Sequence, residues 1–156
     1  MMTDILIIFS ILTGASLVIW CVLQIREAMD PARLIEAVRI GNALKIRKML
    51  KRGAPVDLET ETGTTPLIYA ARAGHVHIAE LLIEFGADVN HMDHQGMTAL
   101  MEASALGQSS IVQVLLKNGA EPLLEDKVGR TALTLADAGT NPEIRDLLTQ
   151  QMRDAA

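Results

Sequence analysis

Residues 63–90 read GTTPLIYAARAGHVHIAELLIEFGADVN, and this stretch decides the fold. Its opening Gly-x-Thr, at Gly63, recurs at Gly96 and Gly129, so that the three copies are separated by one constant interval. A second series of glycines has the same period, and an alanine follows each of its members, Gly53, Gly86 and Gly119. Self-similarity at a fixed period of about 20–50 residues is typical of stacked repeats, in which no single unit buries its own apolar face.

Two short helices are predicted within this stretch. Thr65 is expected to cap the first helix, and Pro66 takes the first helical position, where a missing N–H costs nothing. Gly74 is expected to end that helix with a left-handed residue. Apolar residues at helical spacing from Ile78 to Phe85 predict the second helix. An extended excursion follows it and turns back at residues 93–96.

The unit resembles an ankyrin repeat, whose pattern GxTPLHxAAxxGHxxIVxLLLxxGADVN is nearly matched by residues 63–90. Residues 96–120 and 129–148 form further units, and residues 31–57 keep the helix pair without the Thr-x-Leu opening. The resemblance implies an all-α ankyrin-repeat solenoid of about four helix-turn-helix repeats with hairpin loops. The predicted repeat region is 31–150, with an N-terminal cap at 31–57, repeats at 60–92 and 93–125, a C-terminal cap at 126–150 and a tail at 151–156.

One position departs from the family pattern, and another matches it. The histidine that follows Thr-Pro-Leu in the family is replaced here by Ile68, Met101 and Thr134. The side-chain hydrogen bond of that histidine is therefore lost, and packing must compensate for it. His75 fits the Gly-His position of the family and is predicted to be structural.

A long apolar segment precedes the repeats. Ile5 to Ile25 include no charged side chain over 21 positions, and a helix of that length spans about 30 Å, the thickness of a bilayer's hydrocarbon core. We predict a transmembrane helix at 5–25, after a short translocated N-terminus at 1–4 and before a linker at 26–30. A cleaved secretory leader is the alternative, disfavoured by the missing basic n-region. Ser10 and Gly14 form a small-xxx-small pair, which indicates either close contact with a second membrane helix or only the small residues that are common in membrane helices.

The distribution of charge predicts the orientation of that helix. No Lys or Arg precedes it, whereas residues 26–56 hold eight Lys or Arg and three Asp or Glu, a net charge of +5. The positive-inside rule then places the N-terminus outside and the repeats in the cytoplasm, as in a bacterial inner-membrane protein. The basic start reflects either this topology alone or a contact with anionic headgroups. Residues 57–156 hold six basic and fifteen acidic residues, a net charge of −9, which argues against nucleic-acid binding.

The sequence predicts no catalytic residue, cofactor or metal site. The single cysteine, Cys21, lies in the apolar segment, so no intrachain disulfide or cysteine-based metal site is possible. His91 and His94 have a spacing that can hold a metal, but solvated surface residues are the favoured interpretation. Asp93 and Asp126 occupy the same repeat position and are expected to shape turns.

The resemblance implies that binding uses the hairpin tips and the exposed positions of each first helix, which line a concave surface. Met97, Leu106 and Val128 are apolar at such positions, which indicates an interface; the alternative is that a neighbouring repeat partly covers one or two of them. The predicted partner-contact residues are Glu61, Thr62, Thr64, Arg72, His94, Gln95, Met97, Leu106, Lys127, Val128 and Arg130.

These features predict a membrane-anchored protein-interaction module without enzymatic activity, such as an accessory or scaffold subunit of a membrane complex. A membrane-tethered regulator, for instance an immunity or inhibitor protein, is the alternative. The expected partner is a protein, neither a nucleic acid nor a small molecule. It is expected to be a membrane protein, because a linker of about five residues, at most about 18 Å long, holds the repeats near the headgroups.

Overall fold

The computed structural model describes residues 31–139 and 141–154. The predicted membrane helix with Ser10 and Gly14, the predicted N-terminus and the linker lie outside these residues. In the described part the chain forms eight helices and no strand: α1 (Pro31–Ile40), α2 (Ala43–Lys51), α3 (Pro66–Ala73), α4 (Val76–Glu84), α5 (Ala99–Ala105), α6 (Ser109–Lys117), α7 (Ala132–Ala138) and α8 (Pro142–Asp154). None of these helices is long and apolar enough to cross a membrane.

The helices are arranged as four consecutive pairs in two layers. The first helices of the pairs, here called the inner helices, pack side by side in the order α1, α3, α5, α7. The second helices, the outer helices, pack in the order α2, α4, α6, α8, and each also packs on the inner helix of its own pair. The stacking predicted from the constant period of the glycines is therefore confirmed.

The inner helices begin as the sequence predicts. The Thr65 side chain accepts a hydrogen bond from the N–H of Ile68, and Thr98 and Thr131 cap α5 and α7 in the same way. Alanines at equivalent positions of three inner helices, Ala70, Ala103 and Ala136, are completely buried. Because their side chains are small, neighbouring inner helices can approach closely, and this holds the repeats in register.

Packing compensates for the missing family histidine, as expected. Ile68 and Met101 are both buried in the core that runs through the stack. Thr134 acts differently, because its hydroxyl accepts a hydrogen bond from the N–H of Thr131 and completes a capping box at the start of α7. The first two replacements are therefore apolar packing residues, and the third is a helix cap.

The first seven helices end within two residues of a glycine, which has left-handed backbone in every case but that of Gly139 after α7, with a φ of −79°. Gly74 ends α3 with a φ of +77°, as predicted. The last helix, α8, differs and continues to Asp154, past the predicted end of the repeats at residue 150. Met152 stands there at the repeat position at which Gly53, Gly86 and Gly119 end the earlier outer helices. Because methionine, unlike glycine, does not favour left-handed backbone, the helix continues past this position.

Polar side chains join each pair to the next. The Nε2 atom of His75 lies 3.2 Å from the carbonyl oxygen of Arg39, which confirms the structural role predicted for this histidine. Asn90 accepts a hydrogen bond from the N–H of Glu121 and donates one to the carbonyl of Gly119. These bonds satisfy loop backbone groups that would otherwise need water, and they set the spacing between the pairs.

Candidate functional site

Three hairpin tips project from the stack, one before each of the last three inner helices. We define them as tip 1 (residues 60–64), tip 2 (residues 93–97) and tip 3 (residues 126–130). In each tip the N–H of the first residue donates to the carbonyl of the last residue, over 3.1, 3.0 and 2.9 Å in turn. The tips are therefore closed turns of equal length, and they recur with the same period as the helices.

An aspartate shapes tips 2 and 3. Oδ1 of Asp93 accepts from the N–H groups of Gln95 and Met97, at 2.8 and 2.9 Å. Asp126 makes the equivalent bonds in tip 3, and the N–H of Arg130 is the main cause that lowers the pKa of its carboxyl group. The prediction that both aspartates shape turns is confirmed. They are occupied with the backbone, so their carboxylates are not catalytic candidates.

The tips are also bonded to one another. The N–H of His94 in tip 2 donates to the carbonyl of Thr62 in tip 1 over 3.0 Å. One repeat later, the N–H of Lys127 in tip 3 donates to the carbonyl of Gln95 in tip 2, again over 3.0 Å. This ladder holds the three tips as one unit, so their side chains are presented at fixed spacing before any partner arrives.

A cleft of about 280 Å³ lies between tip 1, tip 2 and the inner helices α3 and α5. Nine residues line it, namely Glu61, Thr62, Thr64, Arg72, Asp93, His94, Gln95, Met97 and Glu102. Seven of the eleven predicted contact residues thus lie around one cleft. The other four, Leu106, Lys127, Val128 and Arg130, lie outside it.

An ion pair spans two repeats in this cleft. Nη2 of Arg72 lies 2.5 Å from Oε1 of Glu102, and the hydrogen bond to that carboxylate raises the pKa of Arg72. The guanidinium also lies 5.5 Å from the ring centre of Tyr69, which is the distance of a cation–π contact. The arginine is therefore held in place from two sides while its side chain stays partly accessible to a partner.

Two of the predicted contact residues expose little surface, although both line the cleft. Thr64 is only 2% exposed, and its hydroxyl is hydrogen-bonded to that of Thr62. Met97 is only 9% exposed and belongs to the core, so its predicted role as an exposed apolar contact is wrong. The second tip covers the first and the third covers the second, which leaves these side chains little accessible surface.

A row of exposed apolar residues lies at the C-terminal ends of the inner helices. Leu106, at the end of α5, is 51% exposed, as predicted. Ile40 and Ala73 hold the equivalent positions two repeats and one repeat earlier, and both are also exposed. We call these three residues the apolar row. They lie at the C-terminal ends of the inner helices, whereas the tips lie at the N-terminal ends.

Tip 3 adds a fourth exposed apolar side chain. Val128 is 78% exposed, and the exposed residues Lys127 and Arg130 lie beside it. The Nε atom of Arg130 lies 2.7 Å from Oδ2 of Asp126, so its guanidinium is held against the tip. We define the inner face as the cleft, the apolar row and these three residues of tip 3.

The two histidines considered as metal ligands bind the backbone of the preceding tip instead. The Nε2 atom of His91 lies 3.1 Å from the carbonyl oxygen of Gly63, and the ring of His94 packs over the same glycine. His91 is therefore partly buried between repeats, with 20% of its side chain exposed, whereas His94 is exposed. Across residues 31–139 and 141–154 no group of three or more His, Cys, Asp or Glu could hold a metal ion.

A family model described as ankyrin repeats, in three copies, matches residues 34–126, which is more than half of the chain. The chain belongs to the ankyrin-repeat family. Ankyrin repeats indicate a protein–protein interaction module, and members of the family are typically not enzymes. No curated protein matches the chain.

Within this ankyrin-repeat array, sequence reasoning missed three residues: the exposed Ile40, the cleft-lining Glu102, and Tyr69, whose ring contacts the guanidinium of Arg72. Ile40 carried a usable signal, because it lies one period before Ala73 and two periods before Leu106. The sequence carries no signal for Glu102. Its ion pair with Arg72 joins two residues that are 30 positions apart and do not hold equivalent repeat positions.

Proposed function

We propose that this ankyrin-repeat protein is a membrane-anchored interaction module, an accessory or scaffold subunit of a membrane protein complex, and that it binds its partner with the inner face. The observation that supports this most strongly is the bonded ladder of tips at one end of the inner helices, together with the row of exposed apolar side chains at their other end. A rigid surface of this kind binds with a small loss of conformational entropy, because its side chains are already positioned.

The inner face suggests which chemistry the partner presents. The apolar row offers three side chains at equal spacing, and Val128 adds a fourth at the tips. Between them, Arg72 and Glu102 offer one fixed positive and one fixed negative group. A partner surface with matching apolar side chains and a polar group that reaches the ion pair would complement this arrangement.

Anchoring to the membrane is the part of the proposal that rests on the sequence alone. The uncharged segment from Ile5 to Ile25 is long enough to span a bilayer, and the basic residues that follow it support a cytoplasmic location for the repeats. A partner that is itself a membrane protein fits this arrangement, because the short linker keeps the inner face near the bilayer. Ser10 and Gly14 are proposed to pack against a helix of that partner.

Replacing Leu106 with aspartate should weaken recovery of the partner by about 30-fold, the loss expected for an apolar contact worth about 2 kcal/mol. The measurement is co-purification of the tagged full chain in mild detergent, with the recovered partner quantified by mass spectrometry. Ile40→Asp, at the other end of the apolar row, should act in the same direction. Met97 is unsuitable for this test, because a charge at a buried position would unfold the repeats.

Leu123→Asp is the matched control for that experiment. Leu123 is exposed to a similar degree, but it lies in the loop after α6 and not on the inner face. The control variant should recover the partner in full. Equal losses for Leu106→Asp and Leu123→Asp, or no loss for either, would contradict the assignment of the inner face.

The proposed topology predicts opposite results for two reporters fused at Ala156. A reporter that fluoresces only in the cytoplasm should be active, whereas an export-dependent phosphatase should be silent, because all Lys and Arg residues follow the apolar segment. Removing the basic residues between 26 and 52 is the control, since it should weaken this preference. Strong phosphatase activity of the unmodified fusion would place the repeats outside the cytoplasm and refute the proposed topology.

A further inference from the structure

The first outer helix, α2, differs from the later outer helices on one side. In α4, α6 and α8 the third helical position is a buried isoleucine, at Ile78, Ile111 and Ile144. In α2 that position is Lys45, which is exposed. Lys48 likewise stands where α4 buries Leu81. The end of the array at α2 is therefore covered by lysines where the later pairs have apolar side chains.

The charge of α2 is of one sign, and the nearby carboxylate of Glu36 on α1 is paired with Arg39. The α2 helix reads ALKIRKMLK and includes no acidic residue. Arg47 lies on the side that faces α4, 3.5 Å from Glu84, whereas Lys45, Lys48 and Lys51 form no ion pair with any described residue. No later outer helix has as many basic residues as the four of α2: α4 has no Lys or Arg, α6 has only Lys117, and α8 has Arg145 and Arg153 among acidic residues.

One apolar side chain projects beside these lysines, at the N-terminal end of α2. Leu44 is 80% exposed, and Lys48 and Lys51 lie one and two helical turns beyond it on the same side of the helix. The equivalent residues of the later outer helices are polar, namely His77, Ser110 and Glu143. We define Leu44, Lys45, Lys48 and Lys51 as the basic face. An apolar side chain beside lysines suits the boundary between headgroups and acyl chains.

We propose that the basic face docks on the anionic headgroups of a membrane, with Leu44 inserted among them. This inference rests on the proposed membrane anchor, because the apolar segment ends at Ile25 and at most about 18 Å of linker separates it from α1. The first helix pair is thus held within reach of the headgroups. Charge complementarity then selects this face, and the inner face is held in a fixed direction relative to the bilayer.

The test uses the full chain with Cys21→Ser and Leu44→Cys, labelled at residue 44 with a polarity-sensitive dye. The protein is reconstituted into phosphatidylcholine vesicles with or without phosphatidylglycerol. Each lysine near an anionic surface favours the docked arrangement about fivefold. In anionic vesicles nearly all molecules should therefore be docked. Their dye should be shielded from acrylamide, an uncharged quencher in the water, and should be quenched by spin-labelled lipid. Ser110→Cys, at the equivalent position of α6, is the matched control. A dye on that cysteine should stay accessible to acrylamide in both kinds of vesicle.

Replacing Lys45, Lys48 and Lys51 together with glutamate should abolish the shielding, as should salt at about 1 M, where the Debye length is about 3 Å. All three side chains are exposed, and unchanged thermal unfolding will show that the variant still folds. Equal accessibility of residue 44 in both kinds of vesicle would overturn the inference. Shielding that appears only after an acidic partner protein is added would also overturn it.

A separate measurement tests whether the chain is anchored in the membrane at all. Retention of the chain in vesicles after alkaline carbonate extraction is measured before any quenching. A chain that is extracted refutes the membrane anchor, and the docking inference falls with it. A chain that is retained while residue 44 stays accessible leaves the anchor standing and refutes the docking alone.

Discussion

Replacing Leu82 with alanine should lower the free energy of unfolding by about 2–5 kcal/mol. Leu82 on α4 and its equivalent Leu115 on α6 are completely buried between neighbouring helices. Truncation of either removes apolar contacts from two adjacent repeats and leaves a cavity that the surrounding helices cannot fill. Because small domains are stabilised by about 5–15 kcal/mol in total, either change would remove a large share of the stability.

Urea unfolding of the full chain in mild detergent, followed by far-UV circular dichroism, measures this loss. Leu123→Ala is the matched control, since Leu123 is exposed and its truncation should change the stability by less than about 0.5 kcal/mol. If Leu82→Ala and Leu115→Ala also cost less than about 0.5 kcal/mol, the assignment of these positions to the core is wrong.

Replacing Gly96 with alanine should destabilise the array by about 2–5 kcal/mol, through two separate effects. The residue has a φ of +82°, and left-handed backbone costs an alanine about 1–2 kcal/mol. The added Cβ atom would also lie 2.9 Å from the Cα atom of Asp126 and 3.0 Å from the backbone nitrogen of Lys127. These are backbone atoms of tip 3, so the tips must separate, at a further cost of about 1–3 kcal/mol.

Gly129→Ala distinguishes the two effects. Gly129 holds the same position in tip 3 with a φ of +80°, but a Cβ atom there meets no described atom within 4 Å. The free energy of unfolding of this variant should therefore fall only by the cost of left-handed backbone, about 1–2 kcal/mol. Both are compared by urea unfolding under identical conditions. Equal losses for the two variants would show that close contact between the tips contributes nothing to stability.

The sequence was a good guide to the parts of the surface that depend on local chemistry. The capping threonines and turn-shaping aspartates act through hydrogen bonds to residues within four positions along the chain. Each such bond is decided by residue type and spacing, so the sequence was sufficient to predict it. The apolar exposure of Leu106 and Val128 was also predictable, because both stand at positions where a solenoid usually displays polar side chains.

Contacts between repeats were harder to predict. Glu102 lies on the inner helix after that of Arg72, and only the stacking of α5 on α3 brings their side chains to 2.5 Å. The packing of His91 and His94 on Gly63 is of the same kind, because it joins neighbouring repeats. Such contacts depend on the spacing and rotation of neighbouring repeats, which a single repeat pattern does not report.

By itself the sequence determined the constant period of the repeats, the positions at which the helices begin, and the glycines that end most of them. Only the tertiary structure decided which equivalent residues are accessible. Thr64, Met97 and Arg130 share one repeat position, yet the first two are buried and the third is exposed. The reason is that tips 2 and 3 cover the tips before them, while no further tip lies beside tip 3 among the described residues. Burial in a stacked array is a property of the neighbouring repeat, and the pattern of one repeat includes no information about it.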